Sequence, residues 1–121
     1  MFEPFPGNYV WNLSTNIALN TGAQLNEVLD AIAPVIPLAS AGDAGTEAYL
    51  EAWSGLGDRL AALAEEDLAA GHPLSAARKF ERAAVAYITG ERMQRVGYAP
   101  REAAYAKMKA AFAQVIEHGG E

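Results

Sequence analysis

Apolar residues recur at three- and four-residue steps along most of this chain, and that period restricts its fold more than any other feature. The longest stripe consists of Tyr49, Trp53, Leu56, Leu60, Leu63 and Ala64. A stripe with this spacing is the buried face of an amphipathic α-helix. No window shows the sustained two-residue alternation of a β-strand. The pattern predicts an all-α fold, a small bundle of about five helices.

Breaks and capping residues divide this pattern into separate helices. The first two helices carry one stripe each, and these stripes consist of Tyr9, Leu13 and Ile17, and of Leu25, Val28, Leu29 and Ile32. The second helix closes at Ala33-Pro34, because the residue before a proline disfavours the α conformation. We expect a loop over residues 37–45, with Thr46 and Ser75 as N-caps of the third and fourth helices. Gly71 ends the third helix.

The breaks divide the chain into two parts of one domain, which we expect to be a piece of a longer chain. Residues 1–45 form an aromatic arm and two short helices. Residues 46–121 form a three-helix core, whose last helix begins near Arg101. The inward residues of that last helix are expected to be Ala104, Met108, Ala111, Phe112, Val115 and Ile116.

The charges are divided unevenly between the two ends of the chain. Residues 1–70 have ten acids and one base, a net charge of −9, and residues 71–121 have five acids and eight bases, a net charge of +3. The two halves can therefore attract each other, or the second half can face an acidic surface of a partner. The few bases are mixed with acids, so nucleic acid is not an expected partner.

Neither a membrane nor a secretion signal is indicated by the sequence. No apolar run approaches the roughly 18 residues that a transmembrane helix needs. The start of the chain, from Met1 to Pro6, lacks the basic and apolar regions of a signal peptide. The chain also has no cysteine, which fits a reducing compartment. These features predict a cytoplasmic protein without a membrane partner.

The centre of the chain has the spacing of a tetratricopeptide hairpin. Its first helix matches at Trp53, Leu56, Gly57 and Leu60, and its second helix matches at Ala76, Phe80 and Ala83. About seven more residues separate the two halves than that repeat allows, which adds two helical turns and keeps the buried stripe in phase. Gly55 and Gly57, beside Trp53, suggest the close approach of another helix. The spacing predicts a central antiparallel hairpin, without a second copy of the motif.

A second pattern spans roughly residues 49–112. It consists of Trp53, Gly71-His72-Pro73-Leu74-Ser75-Ala76-Ala77, Phe80-Glu81-Arg82-Ala83, Tyr87, Glu91-Arg92, Tyr105, Met108 and Phe112. This pattern resembles the N-terminal helical region of a family of α/β hydrolases. That family includes 2,6-dihydroxypseudooxynicotine hydrolase, fungal polyketide-shortening hydrolases and fermentation–respiration switch esterases.

The resemblance implies a cap, or lid, that covers a catalytic domain and shapes its substrate pocket. The serine, acid and histidine of such enzymes lie in the α/β domain, outside the cap, so this chain would not be catalytic by itself. The implied partners are that domain in cis and a small substrate. Whether the substrate is aromatic stays open. The implied reaction is hydrolysis of an ester or of a carbon–carbon bond next to a carbonyl. A free-standing tetratricopeptide-like interaction module is the alternative, and homodimerisation stays open.

Complete catalytic and metal-binding motifs are missing from the sequence. A serine hydrolase of this class needs a Gly-x-Ser-x-Gly elbow between a strand and a helix, and Ser54-Gly55-Leu56-Gly57 is half of that motif inside a helix. His72 and His118 have no partner at metal-ligand spacing. The acidic run Glu65-Glu66-Asp67 is more typical of a solvated face. We therefore assign no catalytic residue, no metal ligand and no cofactor.

The aromatic arm is the best candidate for a substrate site. Asn8, Tyr9, Trp11 and Asn12 combine flat apolar walls with polar groups, which suits an aromatic substrate. In the alternative interpretation, the rings close the open end of the helical bundle. Trp11→Ala distinguishes the two, since a pocket residue changes specificity more than stability.

Three further residues are candidates for the contact with the catalytic domain. They are Arg82, Tyr87 and Glu91. A structural ion pair between Arg82 and Glu91 is the alternative for those two side chains.

Overall fold

A computed structural model describes residues 1–120, apart from the side chains of Asp43 and Ala44. Five α-helices and one 3-10 helix follow one another in these residues, with no β-strand among them. They are α1 Tyr9–Asn20, α2 Leu25–Ile32, the 3-10 helix Ala33–Leu38, α3 Asp43–Ala69, α4 Pro73–Glu91 and α5 Ala99–His118. The prediction of an all-α bundle of about five helices is confirmed.

Helices α3 and α4 form an antiparallel hairpin that contains much of the core. The Gln94 amide, just after α4, donates to the Thr46 carbonyl near the start of α3 at 2.8 Å. At the opposite end of the hairpin, Lys79 Nζ donates to the Asp67 carboxylate at 2.6 Å. Since the end of one helix lies beside the start of the other, the hairpin is antiparallel, as its sequence spacing predicted.

A glycine turn joins the two arms of the hairpin. Gly71 has a φ of +83°, and the His72 N–H donates to the Asp67 carbonyl at 2.8 Å while the Gly71 N–H donates to the Leu68 carbonyl at 3.1 Å. These two bonds are a Schellman motif, which satisfies carbonyls at a helix end. The prediction that Gly71 ends α3 is confirmed.

Glycine brings the two arms of the hairpin together at two levels. A Cβ on Gly57 would lie 2.6 Å from the Tyr87 ring, and a Cβ on Gly90 would lie 3.0 Å from Trp53 Cβ. The predicted close approach is confirmed for Gly57. It is wrong for Gly55, where the nearest atom that a Cβ would meet belongs to the Arg59 side chain of the same helix, at 3.5 Å.

Both predicted N-caps are wrong. Helix α3 begins at Asp43, after Gly42, and the Thr46 hydroxyl donates back to the Gly42 carbonyl at 3.2 Å. Helix α4 begins at Pro73, because proline at the first helical position has a suitable φ and lacks only an N–H that would be free there. The predicted loop is also shorter, since the 3-10 helix extends to Leu38.

The apolar stripe of α1 exists, but it faces away from the bundle. Tyr9, Leu13 and Ile17 are exposed, whereas the buried residues of α1 are Trp11, Asn12, Ser14, Thr15 and Ala18. Trp11 lies two positions from both Tyr9 and Leu13, on nearly the opposite side of the helix. Burial of the larger Trp11 ring therefore turns the stripe outward.

Large side chains also lie outside on other helices where the sequence placed them inside. Leu25, Leu29 and Leu63 are exposed, while the buried residues of α2 are Val28, Ala31 and Ile32. On α5, Ala104 and Ala111 are buried, but Phe112 and Ile116 are exposed. Alanine lets α5 lie close to the hairpin, so its larger residues remain at the edge of that contact or beyond it.

Ion pairs connect the acidic first half of the chain to the basic second half. They join Arg82 to Glu27 at 3.0 Å, Lys79 to Asp67 at 2.6 Å, Arg95 to Glu47 at 3.1 Å and Lys107 to Asp58 at 3.1 Å. The predicted attraction between the halves is confirmed. The two pairs with exposed side chains, Arg95–Glu47 and Lys107–Asp58, contribute about 0–1 kcal/mol each. None of the helices in residues 1–120 is long and apolar enough to cross a membrane.

Candidate functional site

The aromatic arm ends in a cluster of four rings at one end of the hairpin. Trp11 stacks on Tyr49 with ring centroids 4.6 Å apart, and Phe5 contacts the edge of both rings at 5.1 and 5.7 Å. Trp53 extends the cluster, 6.1 Å from Tyr49. Edge and offset contacts between aromatic rings contribute roughly 0.5–1.5 kcal/mol beyond their burial. The cluster therefore fixes the arm on the bundle.

Two asparagines of the arm hold its backbone in place. The Phe5 N–H donates to Asn12 Oδ1 at 2.8 Å, and Asn12 Nδ2 donates to the Phe5 carbonyl at 3.0 Å. Asn8 caps α1, because its Oδ1 accepts from the Trp11 N–H at 3.0 Å. Its Nδ2 donates to the Ala39 carbonyl at 2.7 Å, beyond the 3-10 helix. Both side chains thus have structural partners.

The four predicted pocket residues do not face the same way. Trp11 is only 5% exposed and Asn12 is buried with it, whereas Tyr9 is 65% exposed and Asn8 is half-buried. The rings of Phe5 and Trp11 close the end of the bundle, as in the alternative interpretation. A direct contact with substrate stays a prediction, and Tyr9 is the ring best placed to make it.

Polar groups lie beneath the aromatic cluster. The Thr15 hydroxyl donates to the Trp11 carbonyl at 2.9 Å and lies 3.4 Å from the Tyr49 hydroxyl. The buried Ser14 hydroxyl and Trp53 indole N–H lie near the Tyr49 hydroxyl without a hydrogen-bond partner of good geometry. Burial raises the pKa of Tyr49 above its ordinary value. The inner side of α1 is consequently polar for a helix in a core.

The outer side of α1 is apolar, and we call its exposed residues Tyr9, Val10, Leu13 and Ile17 the α1 face. These positions fall within a narrow arc of the helix. An open cavity of about 210 Å³ lies against Val10, Leu13 and Ile17 of this face, and Ser14, Arg92 and Met93 complete its lining. Soluble monomers rarely expose contiguous apolar patches of more than roughly a few hundred Å², and larger patches usually mark a surface that binds a partner.

The three predicted interface residues have partners inside the chain. Arg82 binds the Glu27 carboxylate through two nitrogens, at 3.0 and 3.3 Å. The Tyr87 hydroxyl donates to Asp58 at 2.6 Å, and burial together with that carboxylate raises the pKa of Tyr87. The alternative of an ion pair between Arg82 and Glu91 is wrong, because Glu91 accepts from Arg101 at 2.8 Å instead. Contact of the three residues with a catalytic domain stays a prediction.

The remaining polar candidates do not form a reaction centre. Ser54 lies in the middle of α3, and no strand precedes it in the described residues. His72 is exposed and makes no side-chain cap, and His118 lies 3.9 Å from Glu117. In the acidic run, hydrogen bonds from Lys79 and Ser75 lower the pKa of Asp67. No group of three or more potential metal ligands was found within the described part of the chain.

A groove between α3 and α5 is another concave feature of the bundle. Its cavity of about 340 Å³ is lined by Glu47, Leu50, Glu51, Ser54, Tyr98, Pro100, Ala103, Ala104 and Lys107. The Arg95 guanidinium lies 4.3 Å from the Tyr98 ring centroid and 3.1 Å from Glu47, at the rim. The volume is at the lower end of the range, about 300–1,000 Å³, of small-molecule pockets.

Sequence analysis missed two features of this region. Phe5 and Tyr49 complete the ring cluster, but no local spacing connects them with Trp11, because the contact joins three distant segments of the chain. The outward direction of the α1 face was also missed. Comparisons with protein-family models, with curated proteins and with solved structures found no match for this chain.

Proposed function

We propose that this chain is the N-terminal cap of a serine α/β hydrolase, which covers the catalytic domain and shapes its substrate pocket. The observation that carries the proposal is the exposed apolar side of α1. Its outer side presents Tyr9, Val10, Leu13 and Ile17, while its inner side buries Asn12, Ser14 and Thr15 together with Trp11 and Ala18. A helix with this distribution is stabilised when a second apolar surface covers it.

Burial of the α1 face by the catalytic domain would contribute substantially to the binding free energy between the two. Full burial of one aliphatic or aromatic side chain stabilises by about 1.5–3 kcal/mol, and these residues are already partly buried, so each would contribute less. The hydrogen bonds of Asn8 and Asn12 hold α1 in place before the partner arrives. A preformed surface loses less entropy on binding than a flexible one does. The α1 face is thus suited to a stable contact within one polypeptide.

The proposal assigns no chemistry to this chain. The catalytic serine, acid and histidine belong to the covered α/β domain, and the reaction is hydrolysis of an ester or of a ketone-adjacent carbon–carbon bond. Tyr9, at the exposed end of the α1 face, is the residue of the arm that would reach the substrate pocket. The similarity of residues 49–112 to the helical region of that hydrolase family supports this assignment, and a cytoplasmic location is part of it.

A second candidate function is a free-standing helical interaction module of the tetratricopeptide-like kind. The groove between α3 and α5 favours it, because Leu50 and Ala104 form an apolar floor beneath the rim carboxylates Glu47 and Glu51. In that case the groove, rather than the α1 face, would hold the partner.

The coding DNA beyond the codon for Glu121 distinguishes the two candidates. For a cap, we expect the frame to continue into a strand-rich segment with a Gly-x-Ser-x-Gly elbow, and its whole product to hydrolyse esters. Leu13→Glu in that product should lower kcat/KM by about tenfold or more, since it places a charge in the covered surface. Leu74→Glu, at an exposed apolar position of α4, is the matched control and should have little effect. A stop codon directly after Glu121 would contradict the cap and favour the interaction module.

A further inference from the structure

The bundle has a second exposed apolar face, which lies on α5 and shares no residue with the α1 face. Tyr105, Phe112 and Ile116 are exposed, the last at 70%, and Lys109 lies among them. Together with Glu102 these positions repeat at steps of three, four, three and four residues. We call Glu102, Tyr105, Lys109, Phe112 and Ile116 the α5 seam. This spacing is the one that lets a second helix pack along the first.

A cavity lies at the N-terminal end of the α5 seam. It has a volume of about 300 Å³ and is lined by Glu91, Val96, Gly97, Arg101, Glu102 and Tyr105. Val96, in the turn between α4 and α5, is 92% exposed, the highest value of any large apolar residue described. The cavity therefore offers apolar walls at one end of the seam, while Phe112 and Ile116 project at the other end.

The charges of the α5 seam are complementary to each other. Glu102 and Lys109 are both exposed, and neither has an ion-pair partner within residues 1–120. They stand seven residues apart on one side of α5, too far along the helix to pair within one chain. In a twofold dimer, however, any contact from one residue to another occurs twice. An antiparallel copy of α5 would bring each Glu102 opposite Lys109 of the other copy.

We propose that this chain forms a twofold dimer through antiparallel α5 helices. The axis passes beside Tyr105, and Lys109 of each copy pairs with Glu102 of the second copy. In this register Phe112 lies opposite Ala99 of the second copy. The Phe112 ring enters the cavity of that second copy, beside Val96. Lys109 Nζ already lies 5.0 Å from its own Tyr105 ring, on the side of the proposed axis.

This interface uses none of the residues of the α1 face. The dimer proposal and the cap proposal can therefore fail independently. The dimer is tested by the mass of the 121-residue chain in solution, and the cap is tested by the activity of the longer product.

The first test is sedimentation equilibrium of the 121-residue chain over a wide range of protein concentration. We expect a monomer–dimer equilibrium whose Kd rises at least about 100-fold in Phe112→Glu, because the side chain that would enter the apolar cavity of the second copy becomes charged. Leu13→Glu, on the α1 face, is the matched control and should leave Kd unchanged. A wild-type chain that is monomeric at every concentration, or a dimer that Leu13→Glu disrupts and Phe112→Glu does not, would overturn the proposal.

A charge exchange tests the register without removing any apolar residue. Lys109→Glu and Glu102→Lys should each raise Kd by about tenfold, since each places like charges opposite one another. The variant that carries both substitutions should return to within about twofold of the wild type. Circular dichroism of every variant establishes that it is helical. If the double variant is no tighter than the single ones, the antiparallel pairing is wrong.

Discussion

The α3–α4 hairpin and the two helices that flank it differ in where they place their large apolar residues. In the hairpin, Tyr49, Trp53 and Phe80 face inward, and Gly57 and Gly90 let the arms approach. In α1 and α5, alanine and polar residues supply most of the inward face, and large residues such as Leu13 and Phe112 are exposed. The hairpin thus contributes most of the large buried side chains, whereas its flanking helices leave large apolar side chains exposed.

The difference separates residues that stabilise the bundle from residues that can serve a function. A substitution in the hairpin should change the free energy of unfolding. A substitution on the α1 face or the α5 seam should change association and leave the free energy of unfolding of the monomer nearly unaltered. The largest difference in stability is therefore expected between a buried hairpin position and an exposed position on a flanking helix.

Trp53→Ala should produce the largest loss of stability. Trp53 is fully buried between Tyr49 and the backbone of α4 at Gly90, and removal of a buried tryptophan costs about 3–5 kcal/mol. Ile116→Ala, on the exposed side of α5, should change stability by less than about 0.5 kcal/mol. Urea unfolding at a protein concentration where the chain is monomeric measures both. Similar losses for the two variants would remove the distinction between hairpin and flank.

Trp11→Ala and Tyr9→Ala divide the two sides of α1. Trp11 stacks on Tyr49, so its loss should cost about 3 kcal/mol, whereas loss of the exposed Tyr9 should cost about 0.5 kcal/mol or less. In the longer enzyme, Tyr9→Ala should nevertheless change kcat/KM between substrates that differ in ring size. A Trp11→Ala variant that kept its stability and changed only specificity would instead support a pocket role for Trp11.

Gly57→Ala and Gly55→Ala separate close packing from helix propensity on α3. A methyl group on Gly57 meets the Tyr87 ring at 2.6 Å, and such overpacking costs about 1–3 kcal/mol. A methyl group on Gly55 lies 3.5 Å from Arg59 Nη1, so the better helix propensity of alanine should stabilise by up to about 1 kcal/mol. Thermal unfolding should therefore shift in opposite directions. A Gly57→Ala variant as stable as the wild type would mean that the arms lie further apart.

Alkaline pH should weaken the hairpin through Tyr87. Its folded-state pKa is raised above the ordinary value of 10.0, so its contribution to stability is complete below pH 10 and is lost as the pH rises through the folded value. Tyr87→Phe should lose about 0.5–1.5 kcal/mol at neutral pH, because the bond to Asp58 is removed. Its Tm should then fall less steeply above pH 10 than the wild-type Tm. Parallel Tm curves would show that Tyr87 does not titrate with unfolding.

The sequence predicted the hairpin well because several signals agree there. The stripe through Trp53, the close packing at Gly57 and the turn at Gly71 all indicate the same two helices. In α1 the spacing identified residues that share a side, but it could not decide which side turns inward. That choice depends on Phe5 and Tyr49, which build the site for Trp11 from distant parts of the chain. The sequence identified Asn8 and Asn12 as polar groups of a substrate pocket, but in the structure their side chains form hydrogen bonds with the backbone.

The most direct test of the cap is the reactivity of one thiol on the α1 face. The chain has no cysteine, so Leu13→Cys introduces a single thiol, and Leu74→Cys provides an exposed control. Both thiols should react with a maleimide at similar rates in the 121-residue chain. In the product of the whole reading frame, with modified sites identified by mass spectrometry, Leu13→Cys should react at least about tenfold more slowly because the catalytic domain covers it. Equal rates at position 13 in the two proteins would contradict the cap.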